Sequence, residues 1–301
     1  MVFRRAVVLM TVACALSACS VQHLAVDRLG DALAGSGATF SADDDPALVR
    51  DAAPFSLKLM ESLLAERPGH AGLLLAAARG FTQYAYGFVQ QGADEIEAED
   101  VGAAFAQRER ARRLYVRARG YGLRALAVAH PGINTALRTQ AEAALAPTTA
   151  ADVPALYWTA AAWAAAIALS TDTPEAVADL PVVGAMMDRA LALDPGFDAG
   201  ALHTFMITFA MSRADEAAPA ATARGHFDAA VALSHGRQAG PYLALAEAVA
   251  VPEQHRAEFL ALLGTALAID ADADPAHRLE NLILQRRARW LQGRVDDLFL
   301  E

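Results

Sequence analysis

The chain has 301 residues, 55% of them hydrophobic, with 25 basic against 35 acidic side chains and a formal charge of −10. That balance argues against a nucleic-acid binder, because gripping a phosphate backbone takes a concentrated positive surface. Its two cysteines, Cys14 and Cys19, both fall in a leader-like N-terminus, so the rest of the chain offers neither a disulfide nor a cysteine-built metal site.

The first eighteen residues read as a leader. Arg4 and Arg5 make a short positive segment, Ala6 to Ala15 an apolar one, and Leu16-Ser17-Ala18-Cys19 places small residues before a cysteine. That order is the pattern of a secretory signal, and its apolar run falls short of the roughly 20 residues a membrane span needs. Leu16-Ser17-Ala18-Cys19 resembles the lipobox of bacterial lipoproteins, which implies lipidation of Cys19 and cleavage before it. Ser20, not an aspartate, comes next, and in the lipoprotein pattern that points to the periplasmic face of the outer membrane. Loss of Arg4 and Arg5 would leave 23 of the 25 basic residues against 35 acidic ones, a net −12. Each buried methylene of an acyl chain contributes about 0.8 kcal/mol, so several chains would hold the protein durably on a bilayer.

Residues 19–45 are expected to form the lipid-anchored tether, with an amphipathic stretch from Val21 to Leu33 and a polar run from Gly35 to Asp45. From Pro46 to the end the chain reads as one all-α domain, 46–301. Alanine, the best helix former, dominates it, and nothing alternates long enough to argue for a strand. Helices are expected at 46–66, 70–91, 99–129, 134–145, 154–170, 180–193, 198–212, 219–234, 240–250, 255–269 and 275–299. The period is clearest in 180–193, where Val183, Met186, Met187, Ala190 and Leu191 make one apolar stripe that ends at Asp194-Pro195-Gly196. Similar endings at His130-Pro131-Gly132, His235-Gly236 and Asp270 suggest a repeat. Pro195 to Gly236 and Gly236 to about Asp272 approach the TPR length. Phe227 with Ala230, and Leu263 with Ala266, stand where a TPR second helix carries its large and small residues. A helix pair cannot bury its apolar face alone, so stacked neighbours follow: a TPR-like α-solenoid.

Three side-chain groups invite a functional reading. Residues 155–169 hold a single polar side chain, Thr159, so this helix belongs in the interior; Tyr157, Trp158 and Trp163 on it would pack the core or line a groove for an apolar ligand. In the last helix, Leu279, Leu282, Ile283 and Trp290 define a stripe on which Arg286 falls. A charge there must be paired, snorkel, stack on Trp290, or line a ligand channel. Seven arginines crowd 108–124, and Arg110, Arg113, Arg117 and Arg124 share a helix face, either solvated or a docking patch for an acidic partner. The eight histidines are scattered, and the His277/Glu280 pair is too small a set for a metal. Neither HExxH, nor a phosphate-cradling glycine loop, nor a G-x-S-x-G elbow is present, so no residue is assigned a catalytic role and no cofactor is expected.

Three stretches resemble the TatT family, the TPR-like periplasmic lipoproteins associated with TRAP transporters: Leu114 to Leu126; Leu156-Tyr-Trp-Thr-Ala-Ala-Ala-Trp163 with Met187 to Pro195; and His277 to Leu291 with Asp296-Asp-Leu-Phe299. The resemblance implies a periplasmic helical protein that forms a homotrimer, partners a TRAP solute-binding protein and helps deliver an apolar ligand. Other readings on the same residues are a TPR lipoprotein of a different envelope assembly complex, a cell-envelope hydrolase on a helical scaffold, and a purely structural lipoprotein.

Overall fold

A computed structural model describes residues 26–214 and 216–300, and among them every regular element is helical. The leader and Cys19 lie outside the described residues. Two short helices come first, α1 (residues 26–35) and α2 (Gly37–Ser41). The long ones follow: α3 (Pro46–Glu66), α4 (Ala71–Tyr84), α5 (Gln91–Ile96), α6 (Val101–Ala129), the short α7 (Ile133–Ala136) and α8 (Ala141–Leu145), and α9 (Val153–Ala168). The second half holds α10 (Pro174–Val177), α11 (Leu180–Leu193), α12 (Phe197–Ala210), α13 (Pro219–Leu233), α14 (Gly240–Leu245), α15 (Arg256–Ala268), α16 (Arg278–Gln292) and α17 (Val295–Leu298).

Local chemistry sets several boundaries. The Asp45 carboxylate accepts from the backbone N–H groups of Ala47 and Leu48 at 2.9 and 3.0 Å, with Pro46 at the first helical position, so α3 starts where expected. Asp100 caps α6 in the same way, accepting from Ala103 at 2.8 Å. Single π-helical turns, Ala85–Gln90 and Ala246–Ala250, interrupt two helices. The first lets the chain run on from α4 into α5, past the expected end at 91. The expected helix 134–145 is instead the two turns α7 and α8. The expected tether also differs: α1 and α2 pack on the body, with Arg67 gripping Asp27 at 2.6 and 2.9 Å and Arg79 donating to Ser41 at 2.9 Å.

Each long helix packs on the next. The tightest seam joins α6 to α9. Ala111, Tyr115, Ala118 and Gly122 of α6 are all buried. A methyl group added at Gly122 would lie 2.1 Å from the hydroxyl of Thr159 on α9, so the two backbones touch where only glycine fits. Beyond the seam, Trp163, Met186, Met187, Leu202 and Met206 fill one core, and Val249, Phe259, Leu263, Leu284 and Ala288 a second. The repeat's small residues Ala230 and Ala266 are fully buried, as expected.

An ideal solenoid leaves its two ends apart; here they meet. Ile283 of α16 packs on Gly87, Arg287 reaches Asp94 on α5 at 2.7 Å, and Arg278 donates to the Ala42 carbonyl at 3.1 Å. The last long helix thus closes on the N-terminal part of the chain, at the first π turn and α5, and the helices surround a central concavity.

Candidate functional site: the central concavity

The concavity shows itself in side chains that keep accessible surface yet are desolvated by protein around them. Tyr86 sits on the first π turn and is 42% exposed, yet surrounding protein desolvates it and pushes its hydroxyl pKa up to about 12. Glu247, on the second π turn, lies close enough to act on the same hydroxyl, and Arg287 joins Glu247 (2.8 Å) to Asp94 (2.7 Å) between them. Burial raises Tyr157 strongly for the same reason. Glu280 of α16 has open surface but is enclosed by the ring, and desolvation raises its carboxyl pKa.

At one end of the concavity is a cavity of about 410 Å³. Leu75, Pro154, Trp158 and Phe197 give it apolar walls, while Arg79 and Asp198 supply charge. The aromatic wall is continuous: the rings of Tyr157 and Trp158 meet edge-on at 4.8 Å, and Tyr157 lies 5.5 Å from Phe197. The Arg79 guanidinium stands 5.9 Å over the Trp158 ring.

Asp198 owes its position to strained backbone. At the head of α12, Asp198, Ala199 and Gly200 have φ of 47°, 51° and 96°. Gly200 must be small as well as left-handed, since a Cβ there would lie 3.2 Å from the Ala230 backbone. Non-glycine residues held so cluster at functional sites. This turn directs the Asp198 carboxylate at His277, Oδ1 to Nε2 at 3.3 Å, while Asp274 holds Nδ1 at 2.9 Å. The bond to Asp198 is the main cause raising the His277 pKa to about 9, and the same bond holds Asp198 below the ordinary carboxylate range. An aromatic, half-polar cleft of this kind suits a solute with an apolar body and few polar groups.

The structure thus brings Tyr157 and Trp158 together at this site but sends Trp163 elsewhere. Five residues past Trp158 is roughly 140° around the helix, and Trp163 donates from Nε1 to Asp179 at 3.2 Å on another side. The expected stripe of α16 is corrected. The buried face is Asn281, Leu284, Gln285, Ala288 and Leu291, and Arg286 lies outside it, paired with Glu95. Two buried amides disguise that face in sequence. Asn281 accepts from the Ala239 N–H and donates to the Arg237 carbonyl, both at 2.9 Å; Gln285 donates to the Ile269 carbonyl at 2.7 Å. Trp290 is stacked by Arg287 at 4.6 Å and Arg294 at 5.3 Å, not by Arg286. Neither Arg286 nor Trp290 borders the 410 Å³ cavity.

Of the arginine face on α6, three members also brace the preceding helices. Arg110 lies 5.8 Å over Tyr84, Arg117 5.4 Å over Phe81, and Arg124 donates to the Pro68 carbonyl at 2.8 Å. Arg113 is exposed and makes no ion pair among the described residues.

Sequence reading missed Arg79, Tyr86 and Asp198, which reach the site through contacts across the ring and a backbone turn. It also missed the His203–His226 pair, Nδ1 to Nδ1 at 2.9 Å, whose pKa values burial lowers. The one group of described residues with metal-ligand spacing is Glu253, His255 and Glu258. The Arg224 guanidinium already fills it, at 2.9 Å from Glu253 and 3.0 Å from Glu258.

The family model described as "TRAP transporter T-component" matches residues 42–299. The chain belongs to this family. A Treponema pallidum (strain Nichols) protein described as uncharacterized is similar: it is 33% identical over 273 residues, covering 87% of this chain and 83% of its own. Membership associates the chain with a TRAP transporter, as the resemblance implied, and with the periplasmic envelope. No helix among the described residues is long and apolar enough to cross a membrane.

Proposed function

We propose that this protein is a lipid-anchored periplasmic adaptor of a TRAP-type transporter that docks a solute-binding protein and holds an apolar solute in the central concavity. The observation that carries the reading is the family match across nearly the whole described chain. The concavity gives it a physical basis: Tyr157, Trp158 and Phe197 provide apolar surface, and Arg79, Glu280 and the Asp198–His277 pair would orient a polar end. The role is transfer, not catalysis, and the assembly is a homotrimer tethered through Cys19 to the outer membrane. Arg110, Arg113, Arg117 and Arg124 present four positive charges along α6 of an otherwise acidic molecule, which would steer an acidic solute-binding protein into place.

The test is mass spectrometry of whatever co-purifies with gently solubilised, tagged protein, run beside light scattering on a sizing column. A stoichiometric solute-binding protein on a threefold assembly is the expected result. A monomer with no such partner, or one bound to outer-membrane assembly proteins, would overturn it.

A further inference from the structure

A second pocket, of about 200 Å³, opens between α6, α9 and the segment leading into α10. It holds Trp163 and two arginines of α6, Arg112 and Arg119, with Val116, Ala166 and Ile167 as apolar wall. The transporter reading makes no use of it.

The cations around this pocket are not equivalent. Arg112 is spent on Glu109 at 3.0 Å. Arg138 is spent on Asp179 at 2.9 Å, and Asp179 also takes the Trp163 indole N–H. Asp172 lies near enough to act on Arg112. Arg119 alone of the three has no hydrogen bond or ion pair among the described residues. It is half-buried, its guanidinium fixed 4.9 Å over the Trp163 ring, and burial lowers its pKa. Asp179 acts on Arg119 favourably and Arg138 unfavourably, so the pair next door does not neutralise it. A desolvated, unpaired guanidinium costs free energy that an anion would recover, and its planar fork matches a carboxylate better than a point charge would.

We infer that the Arg119–Trp163 pocket is a binding site for a small organic carboxylate, with the carboxylate on the Arg119 fork and a short apolar body against Val116 and the edges of Trp163 and Ile167 that reach the pocket. A space of about 200 Å³ falls below the range that holds drug-sized ligands, which favours a small acid.

Isothermal titration of the full-length chain in mild detergent with benzoate tests this, with benzyl alcohol and inorganic phosphate as comparisons. Saturable benzoate binding is expected, with little from benzyl alcohol. Arg119→Gln should weaken it about tenfold or more, Arg119→Lys less, and Arg256→Gln, in a surface ion pair with Asp296, should leave it unchanged. Arg119 makes no ion pair, so melting curves of both Arg119 variants should stay near wild type; if one unfolds, the other carries the test. Equal affinity in Arg119→Gln, transfer of the loss to Arg256→Gln, a preference for phosphate, or no saturable binding below roughly 10 mM would each overturn the inference.

Discussion

Two contacts hold this ring together, and they are made of different materials. The α6–α9 seam is apolar and small: Gly122 against Thr159, with Ala111 and Ala118 buried beside it. The closure between α16 and α5 is charged: Arg287 between Asp94 and Glu247, and Arg286 on Glu95 at the rim. A seam of small residues tolerates almost no added volume, because interiors are close-packed. A charged closure depends on pairing. It is strong where desolvated and nearly worthless where water reaches it. The concavity lies between the two, with one wall fixed by packing and the other by ions.

The largest effect should come from the seam. Gly122→Val is expected to cost about 3 kcal/mol, a fall of roughly 8 °C in Tm by calorimetry. Gly122→Ala should cost less and regain part of the loss when combined with Thr159→Ala. Next comes the inner closure. Arg287→Met leaves Glu247 unpaired while Asp94 keeps Arg108 at 2.8 Å, so a loss of about 2 kcal/mol is expected in denaturant titrations.

The Asp198–His277 pair gives the concavity a pH signature. His277 is raised from 6.5 to about 9, so its contribution is fully present below pH 6.5 and disappears as pH rises through about 9. Asp198 is lowered from 3.8, so its share is present above pH 3.8 and is lost only in stronger acid. With Asp198 partly exposed, about 1–2 kcal/mol should separate pH 6 from pH 10, and Asp198→Asn should flatten that difference in melting scans.

Two smaller effects sharpen the contrast. Glu280→Gln should stabilise the fold slightly, by about 0.5 kcal/mol, seen as a small rise in Tm, since the enclosed ring disfavours its charge. Arg286→Ala, whose side chain is 45% exposed, should change stability by less than about 0.5 kcal/mol.

One side of the seam is legible in sequence as a face of α6, although nothing there names α9 as its partner; the closure is not legible at all, for a physical reason. Ala111, Tyr115, Ala118 and Gly122 share a face at helical spacing, and the helices 46–66 and 180–193 carry caps and stops at their ends, so local chemistry announces them. The closure joins residues 193 apart, which no period records. On α16 the buried Asn281 and Gln285 look like solvent-facing positions until their backbone partners are known, and this moved the expected stripe by about two positions and put Arg286 on it. Tyr157 and Trp158 were found because an all-apolar helix is conspicuous. Asp198 was missed because its left-handed turn lies inside a sequence that reads as ordinary helix.

The concavity exists because α16 closes on the first π turn and α5. A Gly87→Cys/Ile283→Cys pair tests it directly, because Ile283 lies 3.2 Å from the position of a Cβ at Gly87. Oxidation followed by proteolysis and mass spectrometry should yield a linked pair of peptides from a protein that still melts cooperatively. A protein that stays folded yet never forms the link would show an open array, and a solute site enclosed by the ring would go with it.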